Sequence, residues 1–321
     1  IHPKPNIDFE DIKYELEKNN LDYEIVERFL PIGWMPKPVK MFKIITNDPG
    51  KVAEIKTFTS KFGTPYEADI LFKYRYMVDS GLRGMCWFEM QGEPIQTKTV
   101  KCRAFAASSI RPVDVLANAP LRYLAIDIEC TNKAGLPDPE SDQIIMISLE
   151  FHPAWRGKHS HVLVAKPTAL RDCEGFENEK AMLSAFLGII QEYDPDIITG
   201  YNCEAFDIPY ILKRLEIAKL GRDIGRSEKP AFTKQLKHVQ RTTITGRVII
   251  DPYYIIRHLS VYDQPLRLKR YDLGTVAKSV LNLEKLKMDG SVEIMQLWNG
   301  SESELQRLVE YSQRDAQLAM Q

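Results

Sequence analysis

The sequence predicts an α/β chain in two parts: a mixed central sheet flanked by helices, and a smaller α+β region in front of it. Three observations predict it. After Pro120 a strong apolar strand, Arg122–Glu129, is followed by two more strands, Ile144–Phe151 and His161–Ala165, in the manner of hairpins. Strand and helix then alternate: a helix over Lys180–Glu192, a strand over Asp196–Tyr201, a helix over Pro209–Leu220 and a strand over Arg247–Asp251. Before Pro120 the segments are shorter and more mixed. A run of strands passing into strand–helix alternation is the pattern of a sheet with helical cover.

Residues 8–30 mix charge with scattered apolar positions, and Pro31–Pro38 is a turn-rich break. Val39–Thr46 reads as a strand, closed by Asn47-Asp48-Pro49-Gly50. Residues 51–62 have helical spacing through Val52, Ile55, Phe58 and Phe62. Ile70–Val78 and Met85–Met90 are apolar enough for a strand or a short helix. Residues 91–112 read as polar connections with a strand-like Lys101–Ala106. The domain boundary is placed there, giving 1–105 and 106–321. In the second part Gly135–Asp142 is a turn, Asp272–Val280 is helical, and Ser301–Gln321 closes the chain as a helix with Ser301 and Glu304 as a capping box.

At 321 residues, 44% hydrophobic and 27% charged, the composition is that of a soluble globular protein. No apolar run approaches the ~20 residues that span a bilayer, and Ile1-His2-Pro3-Lys4-Pro5 has no signal-peptide pattern. No membrane partner is expected. Opening on Ile1 rather than Met, the chain reads as a piece of a longer one. Five cysteines, at 86, 102, 130, 173 and 203, include no CxxC pair, which argues against a disulfide framework or structural zinc and for a reducing compartment. His159 and His161 read as a solvated face of a strand. Net charge is −1, yet residues 213–241 carry nine Lys/Arg against three acids. That stretch is a solvated loop or a surface for phosphates.

Three short motifs carry chemistry. In Tyr123-Leu-Ala-Ile-Asp127-Ile-Glu129-Cys130, strand periodicity puts Ala125, Asp127 and Glu129 on one face. Two carboxylates on an apolar strand repel and are costly to desolvate, a penalty that a divalent cation removes. A strand end emerging into solvent is the alternative. In Asn202-Cys-Glu-Ala-Phe206-Asp207, a strand runs into a loop and a helix starts at Asp207 or Ile208, so capping alone accounts for Asp207. On the last helix Tyr311 and Asp315 are one turn apart beside a packed stripe. Four carboxylates balance two Mg²⁺ or Mn²⁺ ions, hard cations that prefer oxygen, and paired metals are a standard device for hydrolysing a phosphodiester.

The ordered set DIE, NxxxFD and YxxxD resembles the three exonuclease motifs of family B DNA polymerases. Gly246-Arg-Val-Ile-Ile-Asp251, Tyr271-Asp-Leu-Gly-Thr-Val276 and Asp194-Pro-Asp-Ile-Ile-Thr-Gly-Tyr-Asn202 are similar to further segments of archaeal and eukaryotic delta-type members, and Phe72–Gly81 resembles the family's N-terminal domain. The resemblance covers the chain from about residue 25. It implies a ribonuclease-H-like exonuclease domain at 106–321 behind a partial N-terminal domain at 1–105. The implied activity is two-metal 3′→5′ hydrolysis of DNA in proofreading during replication. It makes Asp127, Glu129, Asp207 and Asp315 metal ligands and Tyr311 the residue that orients water. Asn202, Phe206 and Arg247 would contact DNA. In archaeal members a pocket recognises template uracil, and Ile70, Phe72 and Arg75 fall where some of its residues would be; ordinary core and surface positions are the alternative. The partners implied are a single-stranded 3′ end, the rest of the polymerase and, as a further candidate, a sliding clamp. The setting is the cytoplasm and nucleoid, or the nucleus in a eukaryote. No palm motif such as DxxSLYPS or DTDS is present, so the polymerase reaction is not expected of this chain, which looks truncated at both ends. A non-catalytic DNA-binding or uracil-sensing module and an exonuclease acting on RNA are the other classes left open.

Overall fold

The structure, a computed structural model, describes residues 1–321 except Ile32, Lys133, Ala134, Lys237, His238 and Asp289, with Val239 described by its backbone only. Ile32 of the turn-rich break and Lys237 of the basic stretch therefore lie outside the described residues. Two compact units form: Ile1–Glu93 with Ala107–Leu116, and Pro94–Ala106 with Ala117–Gln321. Where the sequence suggested a single cut at 105/106, the chain changes unit after Glu93, Ala106 and Leu116. The reason is local: residues 91–112 are largely a hairpin rather than a polar connection.

The first unit runs β1 (His2–Pro3), α1 (Phe9–Lys18), β2 (Asp22–Arg28), β3 (Val39–Ile45), α2 (Val52–Thr59), β4 (Gly63–Thr64) and α3 (Phe72–Asp79), then reaches the hairpin of β5 (Phe88–Ile95) and β6 (Ala104–Pro112). Helix α1 escaped the sequence reading because its apolar stripe is only two residues wide. Asp8 caps it by accepting the Glu10 N–H at 2.8 Å. Ile12 and Leu16, one turn apart, are fully buried with Phe42 of β3.

The second unit holds a six-stranded sheet. Its strands are β7 (Tyr123–Cys130), β8 (Ile144–Trp155), β9 (Lys158–Val164), β10 (Glu174–Gly175), β11 (Ile197–Thr199) and β14 (Val248–Ile250), in the spatial order β10-β9-β8-β7-β11-β14. The β7–β8 and β8–β9 pairs are antiparallel, and the β9–β10, β7–β11 and β11–β14 pairs are parallel. The mixed sheet is thus as the sequence predicts. Helices α4 (Glu179–Tyr193) and α5 (Asp207–Ile217) pack on the face bearing Leu124, Ile126 and Ile128. Helices α8 (Gly290–Asn299) and α9 (Glu302–Met320) cover Ile145, Met146, Val162 and Val164. The Ser301/Glu304 capping box starts α9. Not read from sequence in this unit were β10, the hairpin of β12 (Phe232–Leu236) and β13 (Val239–Thr243), helix α6 (Pro252–Leu259), and α8. The helix expected over Asp272–Val280 is one short turn, α7 (Leu273–Val276), continued by a π-turn over Ala277–Leu281.

His161 is buried, not solvated, and its Nε2 lies 2.9 Å from Glu174 of β10. The five cysteines are free thiols. Among the described residues no helix is long and apolar enough to cross a membrane.

One buried ion pair locks the α4/α5 face. Arg214 donates Nε at 2.8 Å and Nη2 at 2.5 Å to Glu179, whose Oε1 also accepts the Ile144 N–H at 2.8 Å. Removing one partner leaves the other charge buried and unpaired. Arg214→Met is therefore expected to cost about 3 kcal/mol, read as a lower urea midpoint at unchanged m-value.

Candidate active site

Asp127 and Glu129 project from β7 on the face turned towards α9. Directly across the ladder from Asp127 sits Ser148 of β8, and its hydroxyl is 2.7 Å from that of Ser312 on α9. This buried hydroxyl pair, with the small side chains of Ser312 and Ala316, lets the helix approach the sheet closely and sets down Asp315 beside the strand. One oxygen from each of Asp127, Glu129 and Asp315 lies within 4.8 Å of the others. A register shift between Glu129 and Cys130 ends the regular ladder just beyond the cluster, a common way for a strand to re-aim side chains at a site.

Asp207 belongs to the same neighbourhood but faces differently. Phe206, not Asp207, is the N-cap of α5, and it makes no side-chain capping bond. The Asp207 carboxylate instead accepts the Ile128 N–H at 3.1 Å, on the backbone between Asp127 and Glu129. Helix capping, sufficient from the sequence, is thus not what this aspartate does. Its carboxylate is also not among the three oxygens that cluster.

Burial raises the pKa of all four acids. Burial first, then Asp315, pushes Glu129 up to about 8. Burial, then Asp315, Glu129 and Asp207, holds Asp127 well above the usual carboxylate range. Burial pushes Asp207 up to about 7, against the opposing pull of backbone hydrogen bonds from its own N–H and that of Ile128. Burial raises Asp315 despite the opposing Lys285. A low-dielectric pocket holding this many acids disfavours their charged forms unless a cation shares it.

Part of that cation is built in, and sequence reasoning missed it. Lys285 donates Nζ to Asp315 Oδ2 and stands 4.9 Å from the Tyr311 ring. Burial pulls the Lys285 pKa down, but Asp315 and Tyr311 outweigh it, so the pKa rises and the ammonium stays charged. The π-turn and left-handed Asn282 (φ 56°) redirect the chain into the extended segment that carries Lys285. Arg314 then fastens that segment through the Glu284 carbonyl at 3.2 Å. The available signal was periodic: Lys285 shares an inward face with Leu283, two residues earlier.

The donor set fits a hard divalent cation. The three clustered ligands are carboxylate oxygens, and Asp315 Oδ1 is buried with no hydrogen-bond partner among the described residues. Tyr311 lies one turn before Asp315 and beneath Lys285, and burial, then the Asp315 charge, raises its pKa.

The loop bearing Asn202 and Phe206 runs directly off β11. Gly200 is required there, since a Cβ would sit 2.5 Å from the Ile126 carbonyl. Asn202 takes the left-handed conformation (φ 63°), which Asn tolerates. Asp251, buried, accepts the N–H groups of Asn202 at 2.9 Å, Glu204 at 3.0 Å and Tyr253 at 3.0 Å, so one carboxylate both caps α6 and fixes the loop. Asp-Pro at 251–252 signals the cap from sequence; the loop clamp has no such signal. Phe206 is half-buried, its ring 5.4 Å from that of Tyr210.

Arg247, expected from the resemblance to contact DNA, is largely committed within the protein. Its side chain is 3% exposed, donates to Asp194 at 2.8 Å and to the Ile224 carbonyl at 2.6 Å, and also bonds the Pro195 carbonyl. The basic stretch is similarly spent. Five of its nine cations, Lys213, Arg214, Arg222, Arg226 and Arg241, are in ion pairs within this unit. In the other unit, Ile70 and Phe72 are exposed and Arg75 forks onto Asp79 and bonds Glu67.

A mixed sheet with helices on both faces brings carboxylates from a central strand and from α9 close enough together to hold a metal ion. The profile of the family described as DNA polymerase family B, exonuclease domain, matches residues 63–276, and the chain belongs to that family. The DNA polymerase of Archaeoglobus fulgidus is 28% identical over 280 residues, 87% of this chain and 32% of that protein. The DNA polymerase delta catalytic subunit of Mesocricetus auratus is 32% identical over 289 residues, 80% of this chain and 25% of that protein. The chain thus spans about a third or a quarter of the length of these relatives. The structure of the family B DNA polymerase from Pyrobaculum calidifontis superposes with a TM-score of 0.71 at 23% identity, over 99% of this chain and 39% of that one, a likeness of fold.

Proposed function

We propose that this chain is the proofreading 3′→5′ exonuclease region of a DNA-directed DNA polymerase, with residues 106–321 the nuclease domain and 1–105 part of the polymerase's N-terminal domain. The observation that carries the reading is the convergence of Asp127, Glu129 and Asp315 from elements far apart in sequence. Asp127, Glu129 and Asp315 would hold a divalent ion, with Asp207 beside them able to complete a site for two. Bound there, Mg²⁺ or Mn²⁺ would supply a lowered pKa for the attacking water and charge stabilisation for the leaving 3′ oxygen. Tyr311 orients the water through its hydroxyl, while Lys285 fixes both Tyr311 and Asp315. Phe206 and Asn202 line the approach for the terminal nucleotides. Stacking on an aromatic ring is worth ~1–3 kcal/mol per base and needs no sequence readout, which suits an enzyme that must accept any mismatch. DNA rather than RNA is favoured because the relatives are named DNA polymerases. The working partners are then DNA and the remaining polymerase domains, at the site of replication.

A 5′-labelled single-stranded DNA incubated with the protein and Mn²⁺ tests the reading. The expected product is a ladder shortening one nucleotide at a time from the 3′ end, with matched RNA resisting. Internal cleavage, shortening from the 5′ end, or preferential digestion of RNA would refute it.

A further inference from the structure

We infer that helix α6 and the segment after it form a second contact for single-stranded nucleic acid, outside the carboxylate cleft. The inference rests on the reading of that cleft as the place where a DNA 3′ end reacts. The basic stretch that the sequence points to is mostly neutralised internally, as described above. The unpaired positive charge lies further on. Between residues 252 and 271 there are four Lys/Arg, at 257, 267, 269 and 270, against one acid, Asp263. Among the described residues none of these four is within 4.0 Å of a carboxylate, since no ion pair involves them. Arg270 acts on the Asp272 carboxylate only at longer range. Arg267 donates to the carbonyls of Ser260 and Val261, both at 3.1 Å.

Aromatic side chains are interleaved with this charge. The Arg257 guanidinium lies 5.2 Å from the Tyr253 ring and donates to its hydroxyl at 2.8 Å. The His258 ring is 5.7 Å from that of Tyr262, which is 77% exposed, beside Val261 at 60%. No residue of α6 is fully buried. Cations with no carboxylate in ion-pair contact, interleaved with the exposed rings of His258 and Tyr262, suit a phosphate backbone with unstacked bases better than an apolar protein surface. The strip also adjoins the site loop: Asp251 bonds both the loop and the first turn of α6, and the Tyr201 ring is 5.7 Å from that of Tyr253. A strand whose end reaches Phe206 could thus continue along α6.

The test is fluorescence anisotropy with labelled oligothymidylates of about 4 and about 15 nucleotides, in EDTA so that no hydrolysis intervenes. The variants are Arg257→Ala/Arg270→Ala, Arg267→Glu and Tyr262→Ala, all at exposed positions, with folding checked by thermal melts. Lys158→Ala/Lys180→Ala is the charge-matched control. Affinity for the longer strand is expected to fall about tenfold in the double variant and its salt slope to drop by about 2, with the tetramer and the control little changed. Equal losses on both lengths, or an equal loss in the control, would overturn the inference. Unchanged affinity would do so too, reassigning the strip to a protein partner. Because no metal is present, these outcomes stand whether or not the cleft proves to be a nuclease.

Discussion

Replacing Asp127 by Ala is expected to lower hydrolysis of a single-stranded 3′ end by on the order of 10³-fold or more without unfolding the protein. Asp127 is the partly exposed member of the cluster and sits mid-strand opposite Ser148, so its removal takes a ligand and leaves the ladder intact. In metal-free buffer the variant should melt at or above the parent's temperature. An acid held above its usual pKa by desolvation, and then by Asp315, Glu129 and Asp207, is a source of repulsion, not of stability. Asp127→Asn, which keeps the shape, should behave alike. A purified variant that digests as fast as the parent would remove this carboxylate from the reaction. A variant that loses activity only because it unfolds would show that Asp127 is structural.

Stability of the metal-free protein should fall as pH rises from about 4.5 to about 8, the opposite of the usual behaviour of paired carboxylates. In the folded state Glu129 holds its proton up to about 8 and Asp207 up to about 7, whereas in the unfolded chain both release near their ordinary values. Between those limits the native state binds more protons, so the slope of unfolding free energy with pH is negative. For Glu129 alone the change is on the order of 5 kcal/mol. Mn²⁺ or Mg²⁺ competing for the same oxygens should raise the melting temperature much more at pH 8 than at pH 5. Calorimetric melts across that range, with and without the ion, check this. A flat or rising profile in EDTA, or equal stabilisation at both pH values, would contradict a buried acidic cage.

Much of the fold was legible because its signals are periodic. The strand at Arg122–Glu129 and the closing helix could be read from two- and 3.6-residue spacings, and the acids on them followed from the same periodicity. Lys285 was not legible as a partner of Asp315, because its placement depends on a π-turn and a left-handed asparagine that have no sharp local signal. Asp207 was ambiguous in the sequence for a related reason. Its position at a helix start is what a cap requires, and only the packing of α5 against β7 reveals a different acceptor role. The motif that suggested Arg247 for DNA does not reveal that its guanidinium bonds Asp194 and two carbonyls. The hairpin at 88–112 was missed because its strands bury almost nothing, leaving no apolar alternation to detect.

The carboxylate cage draws its members from β7, near the start of its unit, and from α9, at the other end of it. During synthesis, when a chain emerges from its N-terminus onwards, residues 123–130 can pair into the sheet long before α9 exists. A nascent or partly folded chain therefore holds Asp127 and Glu129 without Asp315, Tyr311 or Lys285. Whatever chemistry the cage performs therefore waits for α9 to dock against β7.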